Sequence, residues 1–248
     1  LIESERLVRV FEYQHSPLSQ SNLTARFDAY DRLGIQHDWL IDHNYFSQRG
    51  LEAAWVKRNI NYHQDLGYYL LTFDAGERVI RSFSQLAMIY DPSKGIMDLQ
   101  VWTSEDLLLR FPHSSSPKRQ VGYPVYSSRI YSSHPNPLTL IRKQAHNQPR
   151  LARLYQHGFR LDQLSSRIFD RPLHFLLFQQ PAWYLWAWTA WALDQAAGDI
   201  DEVAFFLDQA FDRGDLGDFH PLLADPSRRW QLFKGMGQIY QLYLAKDG

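Results

Sequence analysis

Gly67-Tyr68-Tyr69-Leu70-Leu71-Thr72-Phe73-Asp74-Ala75-Gly76-Glu77-Arg78-Val79-Ile80-Arg81-Ser82-Phe83-Ser84 is the stretch whose reading decides the fold. Aromatic and β-branched side chains crowd Tyr68 to Phe73 and Arg78 to Ser84, and Asp74-Ala75-Gly76 between them carries turn chemistry. Such runs predict a hairpin. Two further short runs, Leu86 to Tyr90 and Ile96 to Trp102, flank a second turn signal, Asp91-Pro92-Ser93-Lys94-Gly95. Together the four runs predict an antiparallel β-meander.

Upstream, Ser21-Asn22 precede Leu23, Phe27, Tyr30 and Leu33, with Gly34 just beyond, the cap, spacing and terminating glycine of a short amphipathic helix. Leu51 to Asn61 reads as a second helix. The segment with Val8 and Phe11 fits either an edge strand or a first helix over Glu3 to Tyr13. Downstream, Thr103-Ser104-Glu105-Asp106 caps a short helix that ends at Pro112. Pro112, Pro117, Pro124, Pro135 and Pro137, with many serines, mark residues 113–137 as a connection. Beyond it, Leu138 to Asn147, Pro149 to His157, Leu161 to Phe169, Ala182 to Ala197, Asp201 to Arg213 and Ser227 to Lys246 have helical spacing. The expected fold is therefore α+β. An N-terminal lobe over 1–112 holds short helices and the meander, and 138–248 form an all-helical lobe.

At 248 residues the chain buries one large core or two ordinary ones. Its 45% hydrophobic and 21% charged residues exclude a disordered composition. Zero cysteines exclude disulfides and thiolate metal sites, which makes the cytoplasm the default compartment. The longest apolar stretch, Pro172 to Leu193, is interrupted by polar residues, so no transmembrane segment is expected. No secretory leader pattern stands at the first residues.

Charge is sharply divided along the chain. From His113 to Phe178 ten basic side chains face two acidic ones, and from Asp194 to Asp225 nine acids face Arg213 alone. The two blocks either pair internally or leave a basic surface for an acidic partner. Tyr123, Tyr126, Tyr131, Tyr155 and Phe159 lie among the cations, a mixture that also suits base stacking and phosphate contacts. The candidate binding residues are Arg142, Lys143, Arg150, Arg153, Tyr155 and Trp186. Trp183, Trp186, Trp188 and Trp191 surround one helix, which points to packing between helices ahead of an exposed interface.

Possible catalytic groups are densest at His37-Asp38-Trp39-Leu40-Ile41-Asp42-His43, with His15, His63 and Asp65 elsewhere. A His-Asp pair can ligate a divalent cation in hydrolases that draw further ligands from other helices. His134, His146, His157 and His174 lack the spacing of metal ligands. Neither a nucleophile elbow, a phosphate-binding loop, a dinucleotide fingerprint nor a zincin motif occurs. No cofactor and no metal site are therefore expected. The main expectation is a non-catalytic interaction protein, an adaptor, chaperone-like or regulatory component that binds a protein partner. The alternative is a nucleic-acid-associated protein that uses the Arg- and Tyr-rich stretch 118–171, with a metal-dependent hydrolytic site near His37 and Asp38.

Overall fold

The structure, a computed structural model, describes residues 9–91, 94–112, 118–123, 136–170 and 173–245. In chain order the first elements are β1 (Arg9–Gln14), α1 (Gln20–Arg32), β2 (Gln36–Asp42), α2 (His43–Arg49), α3 (Ala54–Arg58), β3 (Asn61–His63), β4 (Gly67–Asp74) and β5 (Val79–Leu86). There follow β6 (Ile89–Tyr90), β7 (Ile96–Trp102), α4 (Ser104–Arg110) and β8 (Arg119–Gly122). The last are α5 (Pro137–Lys143), α6 (Gln148–Gln156), β9 (His174–Phe175), α7 (Ala182–Gln195), α8 (Ile200–Asp212) and α9 (Pro226–Leu244). The chain divides into two compact units, 1–87 with 93–126 and 88–92 with 127–248.

The first unit is built on a mixed sheet of order β1-β2-β4-β5-β7-β8, with β3 on β4. The hairpin of β4 and β5 stands as expected, with Phe73 opposite Ile80 and Leu71 opposite Ser82, and β7 continues it antiparallel. Two features depart from a pure meander. β1, β2 and β4 run parallel, which requires the crossovers that α1, and then α2 with α3, supply. The expected third run splits, and its Ile89–Tyr90 end pairs with β9 inside the second unit. A strand, β8, also forms where a connection was expected, although most of 113–137 lies outside the described residues.

One face of the sheet gathers Leu40, Tyr69, Leu71, Ile80 and Trp102 against Leu107 and Phe111 of the α4 segment. Thr103 caps α4 by accepting from the Asp106 amide at 3.0 Å, as its sequence predicts. The opposite face packs Trp39 against Trp55 of α3 and Phe27 of α1, and Phe83 against Phe46 of α2. Leu51 to Asn61 is less helical than its spacing predicts, because α3 covers only Ala54–Arg58 and the chain re-enters the sheet at Asn61.

In the second unit α7, α8 and α9 pack on one another. Trp183, Trp186 and Trp188 are at most 3% exposed, the enclosed state expected of a helix that is apolar all round. Trp186 is thus part of the helical core. A Cβ at Gly237 of α9 would lie 3.0 Å from Val203 of α8, so that helix pair meets closely at a glycine. Leu161 to Phe169 forms two short 3-10 turns in place of one α-helix. Among the described residues no helix is long and apolar enough to cross a membrane.

Candidate functional site

Parallel pairing of β1 with β2 sets which side chains share a face, since register partners point the same way and neighbours alternate. Phe11 is opposite Asp38 and Glu12 is opposite Trp39. His37 and Asp38 therefore point to opposite faces, and no single metal ion is held by both. The His37 ring stacks on Tyr30 and Phe27 of α1 at 4.9 Å from each.

Asp38, at 2% exposure, is saturated with donors. Its Oδ2 accepts from Arg9 Nε at 2.8 Å, and its Oδ1 accepts from Tyr69 Oη at 2.6 Å and Asn61 Nδ2 at 3.0 Å. Burial, reinforced by the Asp38 charge and hydrogen bond, pushes the Tyr69 hydroxyl far above its ordinary value. Such a fully paired carboxylate ties four strands together and offers a ligand nothing. His43 and His63 are engaged locally, His43 with Thr72 Oγ1 at 3.0 Å and His63 with the Asp65 amide at 3.2 Å.

The α1 side of the same strand pair holds a different carboxylate. Glu12 Oε1 accepts from Arg26 Nη1 of α1 at 2.9 Å, and the Arg26 guanidinium lies over the Trp39 ring, 5.6 Å from its centroid. Glu12 Oε2 is buried, and beside Arg26 the carboxylate also interacts with the Tyr30 hydroxyl of α1, through its charge and a hydrogen bond. The Tyr30 hydroxyl is pushed upward by burial first and then by the Glu12 carboxylate. Gln14, two residues along β1, faces the same side. The strand reading of this segment exposes the Glu12-x-Gln14 alternation, whereas a helix over Glu3 to Tyr13 would scatter it.

At the carboxyl ends of β1 and β2 a third acidic group gathers donors. Asp42 Oδ1 accepts from the Tyr45 amide at 2.9 Å and so caps α2, while Oδ2 accepts from Tyr13 Oη at 3.0 Å and lies 3.1 Å from His15 Nδ1. Burial alone would raise this carboxyl, but the Tyr45 amide, Tyr13 and His15 outweigh it and hold it below the usual carboxylate range. An ionised Asp42 only accepts, so His15 meets it as a donor from Nδ1, and Nε2 of this largely exposed ring is left outside the pair.

In the second unit the blocks of opposite charge are mostly not each other's partners. Asp199 and Asp225 cap α8 and α9, Arg229 of α9 binds Asp208 at 2.8 Å, and Lys234 binds Asp201 at 2.6 Å. Asp215 does meet the basic stretch, 3.9 Å from Arg153 Nε and 3.4 Å from His157 Nε2. Arg142, Lys143 and Tyr155 are exposed, and Pro149 separates α5, which carries the first two, from Arg150 and Arg153. Tyr126, Arg129, Tyr131, His134 and Arg171 lie outside the described residues.

Residues 1–112 match the family model described as Competence protein CoiA, nuclease-like domain. No curated protein and no solved structure matches the chain. The family match spans β1 through α4, the region that presents Glu12, Asp38 and Asp42. It overturns the main expectation of a non-catalytic adaptor and favours the nucleic-acid alternative. That expectation rested on missing compact motifs.

Proposed function

We propose that the chain is a competence-related, nucleic-acid-associated protein whose first unit acts on phosphodiesters, with Glu12 as the acidic group of its site. The observation that carries this reading is the nuclease-like match over 1–112. The Glu12 carboxylate on β1, held by Arg26 and flanked by the Tyr30 hydroxyl, gives it a chemical location. Among the described residues no three His, Cys, Asp or Glu side chains form a metal cluster. Magnesium asks for less, since one or two carboxylates commonly hold it together with water and substrate phosphates. The Glu12 carboxylate would meet that demand where the Tyr30 hydroxyl gives way to the cation, with the Gln14 amide oxygen on the same strand face as a further donor. A cation held there would supply Lewis-acid stabilisation of the charge that develops on a phosphoryl group.

The residues of the chain then have separable tasks. Arg26 fixes the Glu12 carboxylate through Oε1 and leaves Oε2 turned away from that ion pair. Trp39, beneath Arg26, fixes the guanidinium in turn. A second reading is favoured by the geometry at Asp42, where the His15 ring is exposed and oriented through Nδ1, an arrangement open to proton transfer at Nε2.

Incubating the chain with supercoiled and single-stranded DNA in magnesium or manganese tests the proposal. Cleavage that Glu12→Gln abolishes and His15→Ala leaves in place supports the first reading. The reverse pattern supports the second. No binding to either DNA near physiological salt would sink both.

A further inference from the structure

Outside the family match, the second unit contains an open cleft of about 320 Å³ lined by His146, Arg150, Arg153, Gln180, Tyr184 and Asp215. Its volume is in the range of small-molecule sites. We propose that this cleft binds a phosphate group, with Arg150 and Arg153 as the paired donors and a nucleic-acid backbone as the source of the phosphate. The choice of source rests on the nucleic-acid reading above, whereas the oxyanion chemistry does not.

Both arginines are held in place by groups that leave part of each fork unused. Arg150 donates from Nε to Gln180 Oε1 at 2.6 Å and from Nη1 to the His146 carbonyl at 3.0 Å, and its Nη2 has no partner among the described residues. Arg153 donates from Nη1 to the Gly214 carbonyl at 2.7 Å, again with Nη2 unengaged among the described residues. Gln180 is itself fixed from behind. Gly217, at a φ of 72°, lets the Gln180 amide come so close that a Cβ there would collide with Nε2. Its oxygen is thereby presented to Arg150. Preorganised guanidinium donors of this kind suit phosphate, whose oxygens match the planar fork.

The one carboxylate of the cleft does not cancel this charge. Asp215 Oδ2 accepts from Arg213 Nε at 2.7 Å, and Asp215 is only 8% exposed. Asp215 Oδ1 also lies 3.9 Å from Arg153 Nε, so three guanidinium groups set against one carboxylate leave a positive surplus of two around the opening. The Tyr184 hydroxyl donates to the Asp215 carbonyl at 2.7 Å and completes a polar wall.

The test uses the full chain in EDTA, so that cleavage cannot intervene, and a fluorescein-labelled single-stranded oligonucleotide followed by anisotropy, with inorganic phosphate as competitor. The parent is expected to bind, phosphate to displace, and Arg150→Lys, which keeps the charge but loses the fork, to weaken binding about tenfold at an unchanged melting temperature. Should Arg150→Lys melt early, Gln180→Ala serves in its place, because it removes the anchor of Arg150 and keeps both cations. Phosphate binding, seen by thermal stabilisation of the parent and not of the variant, without oligonucleotide binding would overturn the backbone as source. Oligonucleotide affinity unchanged in both variants overturns the site altogether. Loss of cleavage in Glu12→Gln is scored separately, so either idea can fail while the other stands.

Discussion

The two faces of the β1–β2 pair each hold a carboxylate one residue apart in register, and the sheet uses them in opposite ways. Asp38 has four donors from three residues, Arg9 reaching it through both Nε and Nη2, and acts as a knot between strands. Glu12 has one ion pair, with Arg26, and the Tyr30 hydroxyl beside it, fewer donors than Asp38 gathers. A carboxylate that stabilises a fold has its lone pairs filled by the fold itself. One that works on a ligand keeps fewer of its lone pairs tied up by the fold.

The largest effect expected from this contrast is at Asp38. Replacing it by alanine strands Arg9 and the Tyr69 hydroxyl, and denaturant unfolding should show a loss of about 3–5 kcal/mol. A loss below about 1 kcal/mol would mean that the network is ornamental and that the comparison fails.

Lys57 of α3 sharpens the comparison, because it is a buried cation at 6% exposure whose pKa burial lowers to about 8, against a smaller upward pull from Glu52. The unfolded chain binds this proton up to its ordinary value of 10.5 and the folded chain only to about 8, so the unfolded state holds more protons between them. Stability should therefore rise with pH across that window, by up to about 3 kcal/mol. Unfolding of Lys57→Met measured over the same range should lack the rise, and a parallel pair of curves would contradict the shift.

A smaller effect is expected at Asp42. Its folded pKa lies below the ordinary carboxylate value, so its stabilisation is present above that value and is lost as pH falls through the lowered one. Asp42→Ala should cost about 1 kcal/mol near neutrality through loss of the α2 cap. Its melting should then fall less steeply in acid than the parent's, and an equally steep fall would remove Asp42 from the account.

How much of this could be read in the sequence follows from the range of the interactions. The β4–β5 hairpin and the cap of α4 depend on neighbours within a few residues, and the apolar surface all round α7 is likewise a local signal of enclosure. The parallel order of β1, β2 and β4 does not, because each pairing joins segments separated by a crossover. His37 and Asp38 looked like one site for the same reason, since adjacency in sequence becomes opposition in a strand. Glu12 escaped notice because its environment is made by Arg26 and Trp39, 14 and 27 residues away, and only the parallel pairing brings them together. The block of acids from Asp194 to Asp225 was visible as charge, but its partners on α9 come from helix packing.

The most direct test of the central claim is one paired measurement on Glu12→Gln. The substitution removes an ion pair at a partly exposed site, so thermal unfolding should stay within about 1 kcal/mol of the parent. Magnesium-dependent cleavage of DNA should fall by about a hundredfold or more, in line with loss of a group that acts on charge in the transition state. Cleavage at the parent's rate with Glu12→Gln, or a loss of activity matched by a loss of stability, would contradict Glu12 as the working carboxylate.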